Sequence, residues 1–180
     1  MGFKRGRTGD VKPQWLNCPT VTQSGADTTT SLEVRLPVAR VPSAASVTVI
    51  EMLRIYATIS NLPAIAAVTE VLDTQHLSIS TASNGTTDVL LNASNVLAFF
   101  RKSQRGAFTA GGTYNRWGDK VMEFNLTDDN GNGVLVATDS IFLQLQSTGT
   151  GAANDAQVKI LYRFKSVGAM EFVGIVQSQQ

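Results

Sequence analysis

Strict alternation of apolar and polar residues, repeated in several short runs, constrains this chain more than any other feature. It is clearest at residues 156–165. There Ala156, Val158, Ile160, Tyr162 and Phe164 fall on one side, and Gln157, Lys159, Arg163 and Lys165 on the other together with Leu161. A period of two is the geometry of a pleated strand with one face on a core. Leu32, Val34, Leu36 and Val38 alternate in the same way with Glu33, Arg35 and Pro37, and Pro37 suits a strand end or an edge. Runs at 77–81, 121–126 and 140–147 repeat the pattern, and short apolar runs at 134–137 and 170–176 extend it. Residues 47–59 (VTVIEMLRIYATI) also fit helical spacing through Val49, Met52, Leu53 and Tyr56. Their β-branched opening, Val47 to Ile50, favours a strand.

Turn signals separate these runs: Asn84-Gly85, Gly111-Gly112, Asn130-Gly131, Asn132-Gly133 and the 147–155 stretch STGTGAAND. One helix is predicted over 95–102, with Ser94 as cap, an apolar face of Val96, Leu97, Phe99 and Phe100, and Arg101 and Lys102 at its negative end. Many short strands with little helix make an all-β sandwich, and eight of them suit an antiparallel jelly roll. Residues 1–30 lack periodicity and read as a flexible N-terminal arm; residues 31–180 read as a single domain.

A chain of 180 residues is long enough for one core. Hydrophobic residues make up 43% and charged ones only 16%, against about a quarter in ordinary soluble domains, so part of the surface is expected to be covered. The net charge of +1 is unevenly spread. Residues 1–12 carry four basic side chains and one acidic, net +3, while the remainder carries 11 basic and 13 acidic, net −2. Such an arm points to contact with a polyanion, or serves only as a solubilising terminus. Cys18 is the single cysteine, which excludes an intrachain disulfide. No apolar stretch reads as a signal peptide or as the roughly 18-residue run of a membrane span. The sequons at Asn84, Asn92 and Asn125 are accordingly read as chance matches.

Candidate chemistry is sparse, and the reading is that the chain is not an enzyme. His76 is the only histidine, too few for the usual nucleophile–base pairs, and it reads as a polar surface or interface residue. Cys18, between Asn17 and Pro19 in the arm, has no fixed environment to make a thiolate, and no cysteine–histidine cluster offers a zinc site. Glu51 lies in the apolar strand of residues 47–59 and needs a partner, for which a structural ion pair or an interface is the favoured explanation. Thr109 to Thr113 (TAGGT) lacks the lysine of a phosphate loop and reads as a turn. Asp128, Asn130, Asn132, Gly133 and Asp139 match the ligand spacing of a calcium loop, but their flanks read as strands. A metal-free hairpin is therefore expected there, and no cofactor is assigned.

The arm carries the nucleic-acid signal. Lys4, Arg5, Arg7 and Lys12 on a glycine-spaced segment can follow a phosphate backbone without reading bases, and Trp15 can stack. Arg40, Arg101, Lys102, Arg105 and Arg116 are further candidates for a basic patch.

Several segments carry a resemblance: GDVKPQWL (9–16), TQSGADTTT (22–30), VIEMLRIY (49–56), RGAFTAGGTY (105–114), VLVATDSIFLQ (134–144) and ILYRFKSVGAMEFVGIVQSQQ (160–180). The chain resembles the small capsid proteins of uncultured circular single-stranded DNA viruses that encode a replication initiator. That resemblance implies a single jelly-roll coat subunit of a virion, forming an icosahedral shell of about 60 copies. It also implies packaged nucleic acid, most simply single-stranded DNA, met by Lys4, Arg5, Arg7 and Lys12, and no membrane. The arm is shorter and less arginine-rich than in larger relatives, which weakens the case for genome binding more than that for the shell. Two other classes stay open: a β-sandwich binding module such as a lectin or fibre tip, and a hydrolase using two carboxylates.

Overall fold

The computed structural model describes residues 12–38, 46–60, 71–85, 87, 91, 93–106, 121–150 and 152–179. Ten strands are found among them: β1 (Gln14–Asn17), β2 (Val21–Thr22), β3 (Thr29–Arg35), β4 (Ser46–Ile59), β5 (Val71–Ser80), β6 (Val96–Gly106), β7 (Met122–Asn125), β8 (Val134–Val136), β9 (Ser140–Thr148) and β10 (Asp155–Gly168). One helix, α1 (Ala169–Ser178), follows. The strands make two antiparallel sheets. The first runs β1-β10-β4-β7, with β2 also on β10 and β8 also on β4; the second runs β3-β9-β5-β6. The all-β jelly-roll expectation is met, with ten strands among the described residues in place of the expected eight.

The alternating residues meet between the sheets. Ile55, Ala57, Ile160 and Tyr162 come from the first, and Leu77, Ile79, Phe100, Ile141, Leu143 and Leu145 from the second, all buried in one cluster. Each fully buried isoleucine or leucine contributes about 1.5–3 kcal/mol, so this cluster dominates the favourable side of folding.

The ambiguous segment 47–59 is a strand with a bulge. Along β10, Leu161 faces Arg54 but Tyr162 faces Met52, so Leu53 is the extra residue. Core-facing positions are then Ile50 and Met52 before the bulge and Ile55, Ala57 and Ile59 after it. The step of three from Met52 to Ile55 is what mimics helical spacing. It also puts Glu51 on the face opposite Ile55, contrary to simple alternation.

Three expectations need correction. Residues 95–102 form no helix: from Val96 they belong to β6, where Ala98 and Phe100 are buried and pair along β5. The apolar run was two-sided, which is why it imitated a helical face. Residues 170–176 are helical instead, because Phe172, Ile175 and Val176 recur at helical spacing and pack on Val49, Ala137 and Val167. Residues 14–17 and 21–22, expected in the arm, are strands of the first sheet. β1 pairs with β10 from Gln14, and Val21 is buried in the core, so the segment carrying β1 and β2 is part of the sandwich. Strands of four and two residues are too short to show a period.

A buried polar hub anchors this N-terminal segment. Asn154 accepts from Gln75 Nε2 at 2.5 Å and donates Nδ2 to Gln23 Oε1 at 3.0 Å, and Ser147 Oγ donates to the same oxygen at 3.0 Å. Beside it, Thr150 N donates to Asp27 Oδ1 at 2.8 Å. Residues 23–28 are thereby tied to β9 and to the residues that lead into β10.

Candidate functional site

The outer face of the first sheet is where charged and aromatic side chains gather. Trp15 on β1 and Tyr56 on β4 lie with ring centroids 5.6 Å apart, flanking β10 between them. Lys159 of β10 places Nζ 4.6 Å from the indole centroid, a cation–π contact. On the far side of β4, Arg54 Nη1 donates to Glu123 Oε1 at 3.2 Å and Tyr56 Oη to the same oxygen at 3.3 Å. Trp15 remains 48% exposed despite these contacts. An exposed tryptophan and arginine around a half-buried tyrosine have the composition of a protein-interface hot spot.

Further along the same face, Glu51 is fully buried and pairs with Arg163, whose Nε donates to Oε2, and with Lys165, whose Nζ lies 3.2 Å from Oε1. Gly133 N adds a third hydrogen bond to Oε1 at 2.9 Å. Burial opposes ionisation of this carboxyl, but the donors Arg163, Gly133 and Lys165 outweigh it and hold the pKa below its ordinary value. Glu51 is thus the structural ion pair expected from the sequence.

The residues with calcium-loop spacing do something else. β7 and β8 do not pair with each other; both run antiparallel to β4, with Asn125 opposite Arg54 and Val134 opposite Met52. Residues 126–133 are therefore an outward excursion of one edge, and the expected hairpin is absent. Asp128 organises it. Its Oδ1 accepts from Asn130 N at 3.0 Å and Asn132 N at 2.8 Å, and its Oδ2 from Asn132 Nδ2 at 3.2 Å. Those bonds hold the Asp128 pKa low. Gly131 takes a φ of +75°, open to glycine at little cost. Arg163 Nη2 donates to Gly131 O at 3.2 Å, so the cation that neutralises Glu51 also pins the loop.

Of the proposed nucleic-acid residues, Lys4, Arg5 and Arg7 lie outside the described residues. Lys12 is exposed two residues before β1. Arg101 and Lys102 diverge, since neighbours on a strand point to opposite faces. Arg101 is exposed opposite His76, whereas Lys102 Nζ reaches across to Ile59 O and Ser60 O, both at 3.3 Å. Arg40, Arg116, the Arg105 side chain and the TAGGT turn are outside the described residues. His76 is half-buried with its ring 5.2 Å from Phe99. Cys18 packs against the core, and burial pushes its thiol up to about 12, which keeps it protonated and inert.

Among the described residues no three histidine, cysteine or acidic side chains gather as a metal site. The open depression bounded by Thr58, Ile59, Ser60, Asp155 and Gln157 contains one carboxylate among them. Sequence reasoning missed the Trp15–Lys159–Tyr56 cluster. The alternation of Lys159 with Ile160 marked it as outward, but no signal placed Trp15 in a strand.

Comparison with known proteins gives structural likeness without sequence likeness. No protein-family model matches the chain. No curated protein matches it in sequence. Among solved structures, Merkel cell polyomavirus VP1, an unassembled pentamer, is similar over 89% of this chain and 98% of its own, with a TM-score of 0.53 and 8% identity. New Jersey polyomavirus VP1 is similar over 87% and 100%, at a TM-score of 0.49 and 9% identity. VP1 of the trichodysplasia spinulosa-associated polyomavirus, in complex with GM1 oligosaccharide, gives 90%, 96%, 0.49 and 9%. The first of these shows a shared fold across nearly the whole of both chains; these neighbours are viral capsid proteins.

Proposed function

We propose that this chain is a viral coat subunit that assembles with copies of itself into a closed icosahedral shell. It would package nucleic acid, single-stranded DNA by resemblance, through Lys4, Arg5, Arg7 and Lys12. The observation that carries the reading is the two-sheet fold shared with Merkel cell polyomavirus VP1 over 98% of that chain, a protein found as a pentamer. The low charge content supports it, because surfaces that meet other copies need few charges. Electron microscopy of the purified chain across salt and pH tests it. Hollow or filled particles of uniform diameter, protecting DNA from nuclease, are expected; a monomer under every condition overturns the reading.

The lectin-like alternative has one favouring observation, the half-exposed Trp15 against Tyr56 and Lys159, with the Arg54–Glu123 pair beyond Tyr56. An indole with polar neighbours can stack on a sugar ring. One face of Trp15 is already occupied by Lys159, which favours the coat reading over this one.

A further inference from the structure

The two edges of the first sheet differ in a way that a lone sandwich does not require. β1 and β7 are its outermost strands among the described residues, and each is four residues long. Every step from β1 through β10 and β4 to β7 is antiparallel, so β1 and β7 run in opposite directions. If copies stand side by side in the same orientation, β7 of one meets β1 of the next antiparallel, which is the favourable sense for a ladder.

The side chains match as well. The β1 edge presents Lys12, Lys159 and the half-exposed Trp15. The β7 edge presents Glu123, Asp128 and Asp129, of which Glu123 is paired with Arg54, so three acids against one base leave this edge negative, with Val121 58% exposed beside them. Edge strands are ordinarily protected by charge, and that protection works when like charge meets like. Here the charges are opposite, so head-to-tail contact attracts, while β1 against β1 or β7 against β7 repels.

We infer that β7 of one copy adds to β1 of the next, extending the first sheet between subunits with Trp15 at the centre of the contact. The inference rests on the coat-subunit reading. Such a contact joins two different surfaces of the same chain, and repeated it closes into a ring when the rotation allows.

The test is a charge swap. One variant carries Lys12→Glu and Lys159→Glu, a second Glu123→Lys and Asp129→Lys, and a third all four; circular dichroism checks folding, and sedimentation velocity at low salt reads association. Each single-edge variant is expected to need at least about tenfold more protein to associate, and the four-substitution variant to recover to within about threefold of the original. Trp15→Ala, which changes no charge, is expected to weaken association comparably and keeps the test alive if a charge variant misfolds. Single-edge variants that assemble like the original chain overturn the inference and leave the coat reading standing. An original chain that never associates overturns both.

Discussion

Glu51 shows how one buried charge governs a surface. Its carboxylate receives Arg163, Lys165 and Gly133 N, and Arg163 in turn holds Gly131 O, so a single side chain fastens residues 131–133 to the sheet. Gly133 makes this approach feasible: a Cβ there would lie 2.1 Å from Met52 O. Because the folded pKa of Glu51 lies below its ordinary 4.5, the folded state binds fewer protons than the unfolded one in that range. Its stabilisation is complete above pH 4.5 and is lost as pH falls through the folded value. Glu51→Gln is expected to cost about 2–3 kcal/mol at pH 7, less than a fully buried pair because Arg163 and Lys165 are partly solvated. The difference between variant and original should shrink toward pH 3, as read by urea denaturation at both pH values; a constant difference would contradict the linkage.

At the scale of elements, the C-terminal helix closes the outer face that the strands leave open. Phe172, Ile175 and Val176 cover Val49, Ala137 and Val167, and Gln179 completes the edge of β8, accepting from Ala137 N at 3.0 Å and donating to Leu135 O at 2.5 Å. Phe172→Ala is expected to lower stability by about 2 kcal/mol, because the ring is only half-buried. Met170→Ala, at a position 87% exposed, should stay within about 0.5 kcal/mol. Chemical denaturation of the two variants checks which face of the helix is packed. Strands with a buried face were legible in the sequence, since Leu32–Val38, 140–147 and 156–165 all show period two. Elements whose pattern depends on a partner were not. Leu97, Phe99 and Phe100 of β6 look like a helical face until β5 fixes their directions, and Phe172 to Val176 look like a strand until Val49 and Val167 reveal the spacing that matters. The Asn-Gly pairs marked turns correctly, but whether β7 and β8 faced each other or shared an edge was decided by β4, far away in sequence.

For the molecule as a whole, the first strand among the described residues starts at Gln14, two residues after the last cation of the basic tail. Deleting the tail tests whether fold and tail are separable, and that separation distinguishes a coat subunit from a binding module. Removing residues 1–12 deletes Lys4, Arg5, Arg7 and Lys12 against one acid, a net change of −3, while β1 and the Asn154 hub keep their partners. The truncated chain is expected to fold with unchanged thermal stability, within about 0.5 kcal/mol. Its particles should still form, since β1, Trp15 and Lys159 remain, though at a higher protein concentration because the edge cation Lys12 leaves with the tail. Nucleic acid follows a different rule: each phosphate contact releases a counterion, so losing four cations per copy flattens the dependence of binding on salt by a slope of up to about 4 per subunit. Ultraviolet absorbance of purified particles across a salt series, full-length against truncated, measures this directly. Equal nucleic acid in both forms would move the binding surface elsewhere, with the exposed Arg101 first in line and Lys102, engaged on Ile59 O and Ser60 O, set aside. A truncated chain that fails to fold would mean that residues before Gln14 belong to the sandwich.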